Sequence, residues 1–315
     1  ICIQKEIGDR AQRTSLLNLF RQLGYLLHYK NSALKGMVIL NREWVTDALY
    51  RVLDDPIVEA NKGWFRKEDA EKIWHEEKYE NRTEELLALM QEFKFCYQNP
   101  TTKKYVVPSK LPSSADNLPV WDITDNVRLR LQYDWMPKAV AIQLLVSLHE
   151  YIATIADSEQ WIWRKGAILD GQQLELEGVQ VRILDEYPDK RISINARGPY
   201  SEILLRTIMK KWKEVNEPFK DKVKVTPIIL CPCATCADLD TPHTFRYQSV
   251  LNAKQQKQRL QCNESFKSFK AEEILKGVYD ETTVLVDSLQ GRRNKHSNIL
   301  SLVASDDLEE AIAAI

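Results

Sequence analysis

Between Cys231 and Cys236 the chain reads CPCATC, and His243 and Cys262 follow. Cysteines two and three residues apart can aim their sulfurs at a common point through a tight turn, so this spacing suits a shared tetrahedral zinc ion, with Cys262 or His243 completing four ligands. The downstream part offers one cysteine where paired zinc motifs offer two, so a loop of reduced, partly buried thiols stays open as the other reading. A catalytic cysteine lacks an identifiable base. Structural zinc on Cys231, Cys233, Cys236 and Cys262 is thus the one cofactor the residues suggest.

Other chemistry is missing from the sequence. There is no GxxxxGK[ST] loop to cradle a nucleotide phosphate, and no GxSxG, HExxH or GxGxxG pattern. The five histidines, His28, His75, His149, His243 and His296, fall at neither metal nor triad spacing, and His149 lies in an apolar stretch where a core or edge role is expected. Carboxylates in RKEDAEKIWHEEKYENR alternate with lysines, which makes a solvated helix face rather than an acid/base pair. No enzyme activity is expected of this chain.

The bulk composition fits that view. With 315 residues, 44% hydrophobic and 28% charged, the chain can fill two globular cores. Its 44 Lys and Arg nearly balance 45 Asp and Glu, so no general positive field is available for nucleic acid. No apolar run approaches the ~20 residues of a membrane span, and no signal layout opens the chain, so a cytoplasmic setting without membrane contact is expected. Six cysteines, four of them between Cys231 and Cys262, do not resemble a secreted disulfide framework. The chain begins without Met and runs directly into helical periodicity, as a piece of a longer polypeptide would.

The elements that must position these residues follow from periodicity. Leu16, Leu19, Phe20, Leu23 and Leu27 recur at helical spacing; MVIL from Met37 is a short strand; Asn41 caps a second helix through Trp44, Val45, Leu49 and Val52. A third helix runs through Ile73 and Trp74, and a fourth, from Thr83 to Phe93, buries Leu86, Leu87, Leu89 and Met90. EFKFCYQNPTTKKYVVPSK then reads as a hairpin turning at Asn99–Thr102. Helix, strand, helix, helix, hairpin is the order of a winged helix. The helix before the hairpin, TEELLALMQEF, carries three glutamates and no basic residue, so phosphates would repel it. A winged-helix nucleic-acid regulator with a small zinc element is the alternative function, and this acidity argues against it; Lys94, Lys103, Lys104 and Lys110 suit a solvated edge.

PSKLPSSADNLPVWD has the composition of an interdomain linker. Beyond it, VRLRLQYDW alternates strictly, setting Val127, Leu129, Leu131, Tyr133 and Trp135 on one face. Pro137 is expected to start a long helix to about Ile155. Strands in QWIWRKGAIL, LELEGVQVRIL and RISINARG, a helix from Tyr200 to about Val215, and a strand in KVKVTPIIL complete an antiparallel sheet with helices on one face. The fold class is α+β. The expected divisions are residues 1–110, a winged-helix-like helical subdomain; 111–122, a linker; 123–225, the antiparallel-sheet subdomain; and 226–315, a cysteine-containing extension and tail. GRRNK in that tail is expected to be a solvated turn.

LLNLFRQLGYLLHYKN, VILNREWVTDALYRVL, LMQEFKFCY, YVVPSKLP, LQYDWMPKAVAIQLL and WIWRKGAIL occur in an order that resembles the COR domain of the Roco proteins, over about Ser15 to Val225. In that family a Ras-like GTPase, Roc, precedes COR. The resemblance implies that GTP or GDP belongs to a Roc domain before Ile1, that the first half packs against Roc, and that the second half makes a homodimer. The expected function is a non-catalytic coupling and dimerisation module. Tyr133, Trp135 and Pro137 are the expected junction between the halves and Roc, and Trp163, Arg164, Leu204, Ile208 and Trp212 the expected dimer contacts.

Overall fold

The computed structural model describes residues 27–28, 34, 38–115, 118–121, 127–155, 159–237, 239 and 241–275. Leu16, Leu19, Phe20 and Leu23 of the expected first helix and the tail containing GRRNK lie outside these residues, and Leu27, expected on that helix, is in a strand instead. Strand β1 (Leu27–His28) pairs antiparallel with β2 (Val38–Ile39). Asn41 then caps helix α1 (Arg42–Leu53), its Oδ1 accepting from the N–H groups of Glu43 and Trp44. Asp55 caps the short α2 (Pro56–Ala60), where Pro56 loses nothing by lacking an N–H at the first helical position. Gly63 is needed next. Its φ is +85°, and a Cβ there would sit 2.8 Å from the Val107 carbonyl oxygen.

Strand β3 (Trp64–Phe65) follows, then α3 (Lys67–Ile73) and α4 (Thr83–Glu92). Arg82 holds the cap position of α4 without a side-chain capping bond, its guanidinium donating instead to Glu85, and Glu84 and Glu85 suit the positive end of the helix dipole. Strands β4 (Tyr97–Gln98) and β5 (Tyr105–Val106) form the expected hairpin, and β3 joins its far side in the order β3-β5-β4. The buried Asn99 shapes the turn, accepting from the N–H groups of Thr101 and Thr102. Five consecutive residues of α4, Leu86 to Met90, are buried, because α1 and α3 pack against it from different sides. Each such leucine contributes about 1.5–3 kcal/mol on leaving water.

A seven-stranded antiparallel sheet dominates the second half. Its strands are β6 (Val127–Tyr133), β7 (Ile162–Trp163), β8 (Gly166–Asp170), β9 (Gln180–Glu186), β10 (Arg191–Arg197), β11 (Val225–Leu230) and β12 (Thr244–Arg246), in the order β12-β11-β6-β10-β9-β8-β7. Leu129, Leu131 and Tyr133 of β6 turn to a core shared with helices α5 (Val140–Ser147) and α6 (Ser201–Asn216). Leu204, Leu205, Ile208 and Trp212 form the stripe by which α6 seals that face. The opposite face carries Arg128, Arg130 and Arg182, and Trp121 lies over Arg182 and Arg197 at 5.1 and 4.2 Å.

Three expectations change. The helix from Pro137 does not reach Ile155: α5 ends at Ser147, a 3-10 turn spans His149–Tyr151, and Ile152 and Thr154 form bridges with Leu169 and Gln160. Pairing with the sheet wins over helix continuation there. The linker is not loose along its described length, since Leu111 joins the main core and Trp121 packs with Ala153, Trp163 and Ile168. The division at 225/226 falls at the first residue of β11, so the sheet crosses it. Beyond it come α7 (Ala234–Ala237), α8 (Tyr247–Gln255), the hairpin β13 (Arg259–Gln261) and β14 (Ser268–Lys270), and α9 (Ala271–Leu275); β12 adds Phe245, α8 adds Val250, and α9 adds Ile274 and Leu275 to the same core. Among the described residues, no helix is long and apolar enough to cross a membrane.

Candidate metal centre

Strand β11 delivers the chain to Cys231, which continues the pairing with the β12 side: its N–H donates to the His243 carbonyl at 2.9 Å. Pro232 then turns the chain, and Cys233 leads into the single turn of α7. The Cys236 N–H donates to the Cys233 carbonyl at 3.1 Å and approaches the Cys233 Sγ at 3.3 Å. The fourth cysteine arrives from far along the sequence. Cys262 closes β13; its N–H donates to Lys267, its carbonyl accepts from Phe266, and the Ser265 N–H points at its Sγ from 3.5 Å. Asn263-Glu264-Ser265 supplies the turn, with Phe266 at φ +55°.

All four sulfurs lie within 4.8 Å of one another, and all four residues are buried. The Cys262 Sγ is 3.9 Å from that of Cys233 and 3.5 Å from that of Cys236. None of the four is in a disulfide. Among the described residues, this is the set of His, Cys, Asp or Glu side chains that converges as metal ligands would. His243, the rival fourth ligand, packs edge-on against Phe245 at 4.6 Å and stands outside the quartet.

Ionisation is uneven across the quartet. Burial pushes the Cys231 and Cys236 thiols up, Cys236 to about 11. At Cys262 burial also opposes ionisation, but hydrogen bonds from Ser265 and from the Glu264 N–H outweigh it and bring the thiol down to about 6. Arg128 faces the cluster from β6, its Nη2 donating to the Cys231 carbonyl at 2.7 Å. Burial lowers the Arg128 pKa, and the thiols of Cys236, Cys231 and Cys233 work against that.

The other expected site residues lie apart from this centre, and Tyr133 meets Leu204, Ile208 and Trp212 inside one core. Tyr133 is 2% exposed inside the second half: its hydroxyl accepts from Trp212 Nε1 at 2.6 Å and donates to Asn216 Oδ1 at 3.2 Å. Pro137 is buried too, its carbonyl accepting from the Val140 N–H at 3.1 Å. Trp135 is 56% exposed, because the Asp134 carboxylate accepts from the N–H groups of Trp135 and Lys224 and ends β6 before the alternation reaches Trp135. The contact between the halves runs elsewhere. Tyr97 packs tilted against His149, ring centres 5.0 Å apart, and donates to Gln160 Oε1 at 2.8 Å, and the 3-10 turn Pro108–Lys110 meets α5.

Four of the five expected dimer contacts are likewise internal. Leu204, Ile208 and Trp212 fill the core beneath α6, and Trp163 packs beside Trp121. A helical apolar stripe and a strand tryptophan are core signatures first, and here the protomer's own sheet uses them. Arg164 is exposed, held by its N–H to the Pro112 carbonyl at 2.9 Å. Sequence reasoning missed Arg128, Tyr97 and Gln160, whose partners are distant in the chain. The turn chemistry of Asn263-Glu264-Ser265 was a legible sign that Cys262 sits on a sharp bend.

These features define a two-part α+β scaffold with a thiol corner in its second part. Residues 1–111 match the family described as C-terminal of Roc, COR-A domain, and residues 124–277 match C-terminal of Roc, COR-B domain. The chain therefore belongs to the COR family of Roc–COR proteins. The COR-B match runs past the expected 225/226 division and takes in all four cysteines. Similar proteins include a Roc-COR-CHAT protease of Runella zeae, 25% identical over 70% of this chain and 23% of that protein. A probable serine/threonine-protein kinase, pats1, of Dictyostelium discoideum is 21% identical over 76% of this chain and 8% of its own length. A solved Methanosarcina barkeri Roco2 RocCORdC bound to GDP aligns at 24% identity and a TM-score of 0.32, covering 35% of this chain and 36% of that one. The chain spans less than a quarter of the length of the Roc-COR-CHAT and Dictyostelium relatives it matches.

Proposed function

We propose that this chain is the non-catalytic module that couples a Roc GTPase, earlier in the same cytoplasmic polypeptide, to a homodimer. The observation that carries this reading is the family match: COR-A and COR-B succeed one another along the chain, as they do after a Roc domain. The contact between the halves supports it. Tyr97, Val106 and Leu111 from the first half enter the second half's core, so a push on one half is transmitted through packed side chains rather than across a slack linker. The order of helices, β3 and hairpin in the first half supports a winged-helix-like frame kept as architecture. Its α4 is buried on five consecutive residues and carries Glu84, Glu85 and Glu92 with no basic residue, which makes it a poor element to offer a DNA groove.

Sedimentation of the chain is expected to give about twice its 36.6 kDa mass; a species that stays monomeric at micromolar concentration contradicts the dimer. The coupling part is tested in the full-length polypeptide. Tyr97→Phe removes the bond to Gln160 while keeping the ring, and is expected to change the rate of GTP hydrolysis without unfolding the protein. A rate identical to that of the unmodified protein contradicts coupling through this contact.

A further inference from the structure

We propose that Cys231, Cys233, Cys236 and Cys262 hold one structural zinc ion that ties the end of β11 and α7 to the β13–β14 hairpin. This is independent of the coupling role. A tetrahedral zinc with Zn–S bonds of about 2.3 Å places its sulfurs about 3.8 Å apart. The separations of 3.9 and 3.5 Å from Cys262 bracket that value, and every other pair falls within 4.8 Å. Cys262 lies close to two partners at once, as a ligand around a shared ion does, and a disulfide would commit it to one. The sulfurs are too close together for an iron–sulfur cluster, whose several metal atoms hold its ligands further apart.

The donors choose the ion. Four soft sulfurs exclude magnesium and calcium, which take oxygen, and a closed tetrahedral S₄ set is the structural form of zinc, with no position left open for water or substrate. The surroundings fit a bound ion as well. N–H groups of Cys236 and Ser265 point at the sulfurs of Cys233 and Cys262, which supports negative charge on them. Four thiolates around Zn²⁺ leave a net charge of −2, and the Arg128 guanidinium, bonded to the Cys231 carbonyl, is the nearby positive charge that offsets part of it. Zinc binding releases the thiol protons to solvent, with no change of oxidation state.

The segment also needs such a tie. Between Cys231 and Leu275 its longest element is the nine-residue α8, and its strands are three residues each. Elements this short close too little apolar surface to hold a hairpin in place, and small units of this kind use metals as staples.

The test is elemental analysis of the full chain purified without chelator, followed by cobalt(II) exchange. The expected result is about one zinc per chain, and thiolate-to-cobalt charge-transfer bands with the strong visible absorption of tetrahedral cobalt after exchange. Cys262→Ser and Cys233→Ser are expected to lose the metal, and His243→Ala to keep it. Should a serine variant fail to fold, thiol modification of the unmodified chain decides the matter: zinc should leave in step with the reaction of four cysteines. Arg128→Met is expected to weaken zinc binding by about 10–100-fold. The proposal is overturned if the chain neither contains zinc as purified nor takes it up after chelation, if it contains iron instead, or if both serine variants retain full zinc.

Discussion

The first half and the segment after Cys231 solve the same problem by different means. From Val45 to Val107 the chain buries Leu49, Phe65, Trp74, Tyr79, Leu86, Leu89 and Met90 in one cluster, and its buried polar groups have partners; the Trp74 indole donates to the Ala48 carbonyl at 2.9 Å. Around it runs a solvated network in which Asp47 accepts from Arg51, Lys78 and Tyr79. Such surface pairs are worth little each, so packing carries this half. The later segment has short elements that lend Phe245, Leu251, Ile274 and Leu275 to the second half's core, and its tightest convergence is of sulfur. Where apolar area is plentiful, ion pairs are an accessory; where it is scarce, four cysteines stand at the centre.

Metal removal should break the comparison most sharply. Zinc binding to small peptides is worth about 10–16 kcal/mol at neutral pH, as much as the whole stability of a typical domain. Treatment with a strong chelator is expected to unfold the segment from Cys231 to Leu275, seen as new protease cleavage sites confined to it, while the first half stays resistant. The second largest effect belongs to the first half. Leu89→Ala, at a residue with no exposed surface, should cost about 2–5 kcal/mol in denaturant unfolding and leave zinc content unchanged.

A smaller effect is expected at Tyr133→Phe. The phenylalanine keeps the ring but leaves the Trp212 indole N–H and the Asn216 side chain each short of a partner, so a loss of about 1–3 kcal/mol should appear on unfolding, with no change in oligomeric state. A negligible loss of stability with an altered rate of GTP hydrolysis in the full-length polypeptide would instead return Tyr133 to the expected junction with Roc. The smallest effect should come from Asp47. Its carboxyl is held well below the usual range by hydrogen bonds from Lys78, then Tyr79 and Arg51. A depressed folded pKa means that the unfolded chain takes up the proton first on acidification. The contribution is therefore present above the ordinary value near 3.8 and is lost as pH falls below it. Asp47→Asn should flatten that acid limb of the stability profile by a small margin, and an unchanged limb would remove the network from the account.

Much of this was legible in the sequence where the signal is local. Asn41 announced its cap, the alternation of β6 named the face of Leu129, Leu131 and Tyr133, and the Asn99 turn marked the hairpin. Topology decided what was not local. Alternation says that Tyr133 faces inward but not that Trp212 and Asn216, about eighty positions on, wait there. The stripe on α6 reads the same whether it covers its own sheet or a second copy, and here it covers its own. The helix from Pro137 was over-extended because Ile152 and Thr154 can serve a strand bridge as readily as a helix. The sequence named Cys231, Cys233, Cys236 and Cys262 with His243 as rival; what it did not show is how the fold brings the β13 turn back to β11 and leaves His243 outside the four sulfurs.

The most direct measurement is hydrogen exchange of the intact chain, with zinc bound and after chelation, followed peptide by peptide. The account predicts that amides of β13, β14 and α9 lose protection when zinc is removed, that the Cys231 and Cys236 amides follow them, and that α1 and α4 are unchanged. Equal protection with and without metal across residues 231–275 would contradict it, because the short elements would then hold themselves.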